Sequence, residues 1–255
     1  MKNKVIFITG GTVNTGLAIA EHFASKGYDV AISSRELKRA EKAAEKIAAD
    51  YGIKAVGYGL DLMDTDDIAR VFGEIRSDFG ALDVFVSNSA DLGIDVELLQ
   101  ATPERFDEIF GTNVRGTYFC CKNAALLMKE TGSGGAIVII GSVHAYAAMR
   151  GRGIYAASKG ALLSLTKSLA YELAEFDIRA NYVAPGAIHT NRWDIIPEDA
   201  ANIRRSAYPV GRESSGKDIA NAVFYLGTEL SATVTGADLV VDSGIRACLV
   251  PYDKS

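Results

Sequence analysis

Apolar residues along the chain fall into short uninterrupted runs, separated by longer stretches in which they recur every three or four positions. The first run, KVIFITG, leads into a helical pattern over residues 15–26. After a Gly-Tyr break comes a second run, DVAIS, and the three together predict a βαβ unit. The alternation continues through the charged helix ELKRAEKAAEKIAADYG, the run KAVGYGLD, a helix near residues 65–79, and LDVFVSNSA. A long helix over 103–130 precedes GGAIVIIGS, and a helix over 154–176 precedes IRANYVAPG. A helix over 217–228 then precedes ADLVVDSG. Seven strands result. Because several are continuous apolar runs, they predict an α/β protein whose parallel sheet is covered by helices on both faces, a three-layer sandwich. No linker or repeat divides the chain, so residues 1–255 read as a single domain. The stretch 190–216, with Pro197, Pro209 and ESSG, interrupts the alternation and is expected to be a mobile insertion beside a site.

Composition narrows the functional classes. The 255 residues, 48% hydrophobic with 25 Gly, suffice for one substantial core. A formal charge of −5 and a pI near 5.3 give no electrostatic reason to bind nucleic acid or an anionic membrane. No apolar run approaches the roughly 20 residues that cross a bilayer. The opening MKNKVIFITG reads as a charged start feeding a strand, so a cytoplasmic protein is expected. Cys120, Cys121 and Cys248 are odd in number and lack CxxC spacing, suggesting neither a disulfide framework nor a metal site.

Two features carry chemistry. TGGTVNTG lies between the first strand and the first helix, where helix-terminal N–H groups can cradle a pyrophosphate. YAASK sets Tyr155 and Lys159 four positions apart on a helix, but YFCCK does the same for Tyr118 and Lys122, so spacing alone does not choose between them.

The glycine-rich turn resembles the TGxxxGxG turn of the short-chain dehydrogenase/reductase family, with Asn14 at its middle glycine. Asn is the non-glycine residue best able to enter the left-handed backbone region. The resemblance extends over nearly the whole chain and implies a Rossmann-like doubly wound fold. It also selects YAASK: Ser142, at the end of IVIIGS, lies 13 residues before Tyr155 as the family's catalytic serine does, whereas Arg105 occupies that place before Tyr118. Asn113, Ser142, Tyr155 and Lys159 then correspond to the family's catalytic tetrad. A free phenol has a pKa near 10, and the Lys159 ammonium with a nicotinamide cation is expected to favour the phenolate of Tyr155. By resemblance Lys159 also bonds the nicotinamide ribose, Ser142 orients the substrate oxygen, and Asn113 holds a water in a proton relay. Cofactor contacts are implied for Gly10, Thr12, Asn14, Thr15 and Gly16 in the turn, Asp61 and Leu62 after the third strand, and Asn88 in SNSA, where Ala90 replaces a family glycine. They are also implied for Pro185, Gly186, Ile188 and Thr190 in VAPGAIHT. Ser34 stands where NAD-preferring members carry Asp, and Arg35 where NADP-preferring members carry Arg, which predicts NADP over NAD.

Around this chemistry gather His144, Tyr146, Arg152, His189, Arg192 and Trp193, which suit a hydroxylated or anionic small-molecule substrate such as a sugar. Reduction of ketoacyl or steroid ketones stays open, as does a non-catalytic NADP sensor on the same scaffold, which Asn14 and Ala90 motivate. The helix ALLSLTKSLAYELAEF, with Leu162, Leu165, Leu169 and Leu173 on one face and Leu163, Ala170 and Ala174 beside it, matches the helix through which family members pair. It implies a homo-oligomer, tetramer or dimer.

Overall fold

A computed structural model of the chain describes residues 3–94, 96–132, 134–190 and 195–248. Seven strands form one sheet in the order β3-β2-β1-β4-β5-β6-β7: β1 Val5–Ile8, β2 Asp29–Ser34, β3 Ala55–Gly59, β4 Val84–Ser87, β5 Gly135–Ile140, β6 Ile178–Pro185 and β7 Asp238–Val241. All neighbouring strands are parallel, with Phe7 opposite both Ala31 and Phe85. The eight α-helices are α1 Asn14–Ala24, α2 Leu37–Tyr51, α3 Thr65–Phe79, α4 Pro103–Phe110, α5 Thr117–Thr131, α6 Gly153–Glu172, α7 Glu198–Ser206 and α8 Gly216–Gly227.

The central strands β1, β4, β5 and β6 read as unbroken apolar runs because they bury both of their faces, whereas the edge strands β3 and β7 are only partly buried. Val5 and Phe7 of β1 point into a core shared with Ile68, Phe72 and Ile75 of α3, Cys120 and Ala124 of α5, and Leu162 of α6. Ile6 and Ile8 point the other way, onto Ile19 and Phe23 of α1, Ile47 of α2, and Ile219 and Val223 of α8. Strand order reverses between β1 and β4. The crevice above the carboxyl ends of those strands is where open sheets of this type receive ligands.

One stretch differs from the sequence expectation, and another gains an element. The helix predicted unbroken over 103–130 is interrupted by a π-helical segment, Gly111–Gly116. An ideal Cβ on Gly111 would lie 2.5 Å from Met63 Sδ, and one on Gly116 2.7 Å from the Leu62 carbonyl oxygen. At Gly116 the chain passes so close to the Leu62 backbone that a side chain would clash, and the widened turn buries Asn113 to 1% exposure. Stretch 190–216 contains helix α7, fastened by Arg205, whose Nε and Nη2 each donate to Glu213 at 2.9 Å. Asn191, Arg192 and Trp193 lie outside the described residues.

Candidate active site

Ser142 leaves the carboxyl end of β5, its Oγ accepting from His144 N at 3.2 Å, and Tyr155 lies in the first turn of α6, its phenol within the influence of the Ser142 hydroxyl. Both residues are buried. Lys159, one turn further on, is 3% exposed. Its Nζ lies 5.6 Å from the Tyr155 ring centroid and donates to the Ile140 carbonyl at 2.9 Å. Asn113 reaches the cluster from the π-helical segment: its Nδ2 donates to Ser158 Oγ at 3.0 Å, which in turn donates to the Tyr155 carbonyl at 2.7 Å. The four expected residues are thus brought together, at the carboxyl ends of the central strands. Tyr118, the rival tyrosine, is half-exposed on α5.

Burial pushes the Tyr155 phenol above its ordinary value of 10, and the opposing pulls come from the Ser142 hydroxyl and the Arg152 charge. Burial brings the Lys159 ammonium down to about 8, and its Nζ is turned to Ile140. The Asn113 carboxamide is committed to protein partners: Oδ1 accepts from Asp91 N at 2.7 Å, and Nδ2 donates to the Asp91 carbonyl at 2.9 Å and to Ser158. Asp91 is held in turn by Arg105, whose two terminal nitrogens donate to its carboxylate at 2.7 Å each. Asp91, Arg105 and Ser158 gave no sequence signal, because their roles come from contacts between distant elements.

The glycine-rich turn fits a dinucleotide. Gly10 has φ +65° and Asn14 φ +49°, so Asn14 takes up the left-handed conformation expected of it. A Cβ on Gly16 would lie 2.1 Å from the Gly10 carbonyl oxygen, which keeps the turn closed on itself. Val13 precedes α1 without any side-chain cap, leaving the helix's first N–H groups to an outside acceptor. Thr12 and Thr15 are half-buried beside them. Asn88, after β4, donates to the carbonyls of Thr9 at 3.0 Å and Gly10 at 3.2 Å, tying the turn to SNSA.

At the far end of the crevice Arg35 is exposed, while Ser34 Oγ accepts from Glu36 N at 3.3 Å. Arg35 and Asp61 line one cleft of about 580 Å³ along edge strand β3. Leu62 is buried against the π-helical segment. Beyond β6, Pro185 is buried, Gly186 donates to the Val241 carbonyl at 2.9 Å, Ile188 bridges to Ser214, and Thr190 is half-buried.

Of the polar groups expected around the substrate, His144 and Arg152 adjoin the cluster. The His144 ring meets Tyr155 edge-on at 5.7 Å, and Arg152 donates to the Leu92 carbonyl at 2.6 Å. Burial, with the Arg152 charge, lowers the His144 pKa and favours its neutral form. His189 lies over α7's anchor, its Nε2 4.0 Å from Glu213 Oε1. Tyr146 is directed elsewhere: its hydroxyl donates to Asp238 at 2.5 Å and its ring stacks under Arg246 at 3.9 Å.

Comparison with known proteins agrees with this geometry. The profile of the family described as enoyl-(acyl carrier protein) reductase, of the short-chain dehydrogenase type, matches residues 13–246. A 3alpha-hydroxysteroid dehydrogenase of Mediterraneibacter gnavus is 34% identical over 97% of this chain and 98% of its own. A probable NADP-dependent mannitol dehydrogenase of Yarrowia lipolytica is also 34% identical, over 96% of this chain and 88% of its own. The solved structure of ElxO with NADP bound superposes with a TM-score of 0.90 at 31% identity, covering 97% of this chain and all of that one.

Proposed function

The chain belongs to the short-chain dehydrogenase/reductase family and is an oxidoreductase acting on CH–OH groups, and within that class we propose an NADP-dependent enzyme for a polar, hydroxylated secondary alcohol or ketone. The observation that carries the reading is the buried Ser142–Tyr155 pair with Lys159 one turn away, at strand ends beside the glycine-rich turn.

Gly10, Thr12, Asn14, Thr15 and Gly16 would hold the pyrophosphate on the amino end of α1, and Ser34 and Arg35 the added phosphate of NADP. When bound, the nicotinamide ring gives or takes the hydride, and its oxidised form lowers the phenol of Tyr155. Ser142 orients the substrate oxygen. Tyr155 donates a proton to that oxygen in reduction and accepts it in oxidation. Lys159, buried and cationic below about pH 8, supports the charge on the phenol. Asn113 pins the π-helical turn to Asp91, which leaves the holding of a relay water to main-chain groups.

NADP is supported by Arg35 and by the NADP-dependent mannitol relative and NADP-bound ElxO. The sugar or polyol preference is supported by the mannitol relative together with His144 and Arg152 at the cluster. A steroid ketone is the second reading, favoured by the hydroxysteroid relative. Residues 1–255 act as one dinucleotide-binding and catalytic unit, with 190–216 as the substrate segment. Exposed Tyr118 and Leu126 on α5 and Tyr171 on α6 support a homo-oligomer, which a solution mass above the 27.2 kDa of one chain would bear out. The free cysteines agree with a reducing, cytoplasmic setting, and no described helix is long and apolar enough to cross a membrane. Initial rates with NADPH and NADH on polyols, keto-sugars, hydroxysteroids and oxoacyl thioesters test the assignment. Activity confined to the apolar compounds would overturn the polar preference.

A further inference from the structure

Tyr182, in the middle of β6, is fully buried, and the cluster described above does not account for its hydroxyl. That hydroxyl accepts from Ser142 N at 3.0 Å and donates to the Lys159 carbonyl at 3.1 Å. Lys159 Nζ returns to the Ile140 carbonyl at 2.9 Å. The three bonds close a ring through the end of β5, the first turns of α6 and the middle of β6. Gly141, between Ile140 and Ser142, makes the ring possible: a Cβ there would lie 1.7 Å from Tyr182 Cζ and 2.0 Å from its hydroxyl oxygen. The Tyr182 ring occupies the space that a side chain at 141 would need, so the two residues fit as a pair.

Resting on the oxidoreductase reading above, we propose that Tyr182 is a positioning residue, whose hydroxyl sets the Ser142 turn against the Lys159 backbone and so aims the Ser142 hydroxyl at Tyr155. Burial holds the Tyr182 phenol well above its ordinary value, so it stays protonated and able to donate and accept at once. Without it the Ser142 amide loses its acceptor at the point where the chain turns out of β5, and the Ser142 hydroxyl loses its placement beside Tyr155. That hydroxyl pulls the Tyr155 phenol down, so its displacement sends the phenol higher.

Tyr182→Phe tests this, because it keeps the ring over Gly141 and removes only the O–H. Hydrogen exchange at the Ser142 amide should accelerate at least about tenfold, with the fold verified by circular dichroism and NADPH titration. The kcat for alcohol oxidation should fall by about tenfold or more while KM and NADPH affinity stay within about twofold. Its phenolate-dependent limb should move to higher pH by about half a unit or more. A packing tyrosine would lower the melting temperature and leave that limb in place. Wild-type kcat and an unmoved limb in Tyr182→Phe therefore overturn the proposal. A wild-type protein without turnover on any alcohol or ketone would sink the functional reading instead. Unchanged exchange at the Ser142 amide would then overturn the positioning role by itself.

Discussion

Asp91 grips the Asn113 carboxamide from both sides, giving its N–H to Oδ1 at 2.7 Å and taking Nδ2 on its carbonyl at 2.9 Å. A side chain on the π-helical turn thus secures the backbone of the loop beyond β4, and Arg105 secures the same residue through its carboxylate. Asn113→Ala would leave both Asp91 main-chain groups unpaired in a half-buried loop. The expected cost is about 2 kcal/mol in urea denaturation, with a fall in turnover. Arg105→Ala should cost under about 1 kcal/mol, since the Arg105–Asp91 pair is about a third exposed on each side. The opposite ranking would show that the ion pair, not the carboxamide clamp, holds the loop.

Asn14 sits at φ +49° in the turn where the family has glycine. Asn14→Gly should therefore leave NADPH affinity within about threefold and change stability by under about 1 kcal/mol. Asn14→Val, whose branched side chain resists this conformation, should lose about 1–2 kcal/mol in thermal denaturation and weaken NADPH binding. Equal behaviour of the two variants would remove the conformational argument.

Arg35 is exposed at the carboxyl end of β2 with Ser34 beside it. Ser34→Asp/Arg35→Leu replaces a phosphate-accepting charge with a ribose-binding carboxylate. The ratio of NADPH to NADH affinity should fall by about tenfold or more in paired titrations. An unchanged ratio would place cofactor choice elsewhere.

Lys159 carries an ammonium whose pKa is brought down from 10.5 to about 8 by burial. For a base depressed in the folded state, the unfolded chain binds more protons between about pH 8 and 10.5, so this group's contribution to stability improves as pH rises through that window. Lys159→Met relieves the buried charge and loses the hydrogen bond to Ile140. The expected net gain is on the order of 2 kcal/mol at pH 7, with turnover abolished. Chemical denaturation at pH 7 and pH 9.5 checks both halves: the advantage of the variant should shrink at the higher pH.

The strands were legible because a strand buried on both faces must be apolar throughout, and the glycine-rich turn because it joins a strand to a helix. Ser142, Tyr155 and Lys159 were legible from resemblance and spacing. The π-helical break was not, since Gly116 is required by the Leu62 backbone, which arrives from another loop. Helix α7 was hidden by a polar sequence, EDAANIRRS, without an apolar stripe. The partners of the Asn113 carboxamide and the surroundings of the Tyr155 phenol were not legible, because both depend on burial and contacts that exist only after folding.

Tyr155→Phe, compared with wild type first by NADPH fluorescence titration and then by turnover of a reducible ketone, tests the central claim most directly. Affinity for NADPH should agree within about threefold, and kcat should fall by about a thousandfold, the scale of a lost general acid. Turnover near the wild-type rate would contradict the assignment of proton transfer to Tyr155 and, with it, the proposed mechanism.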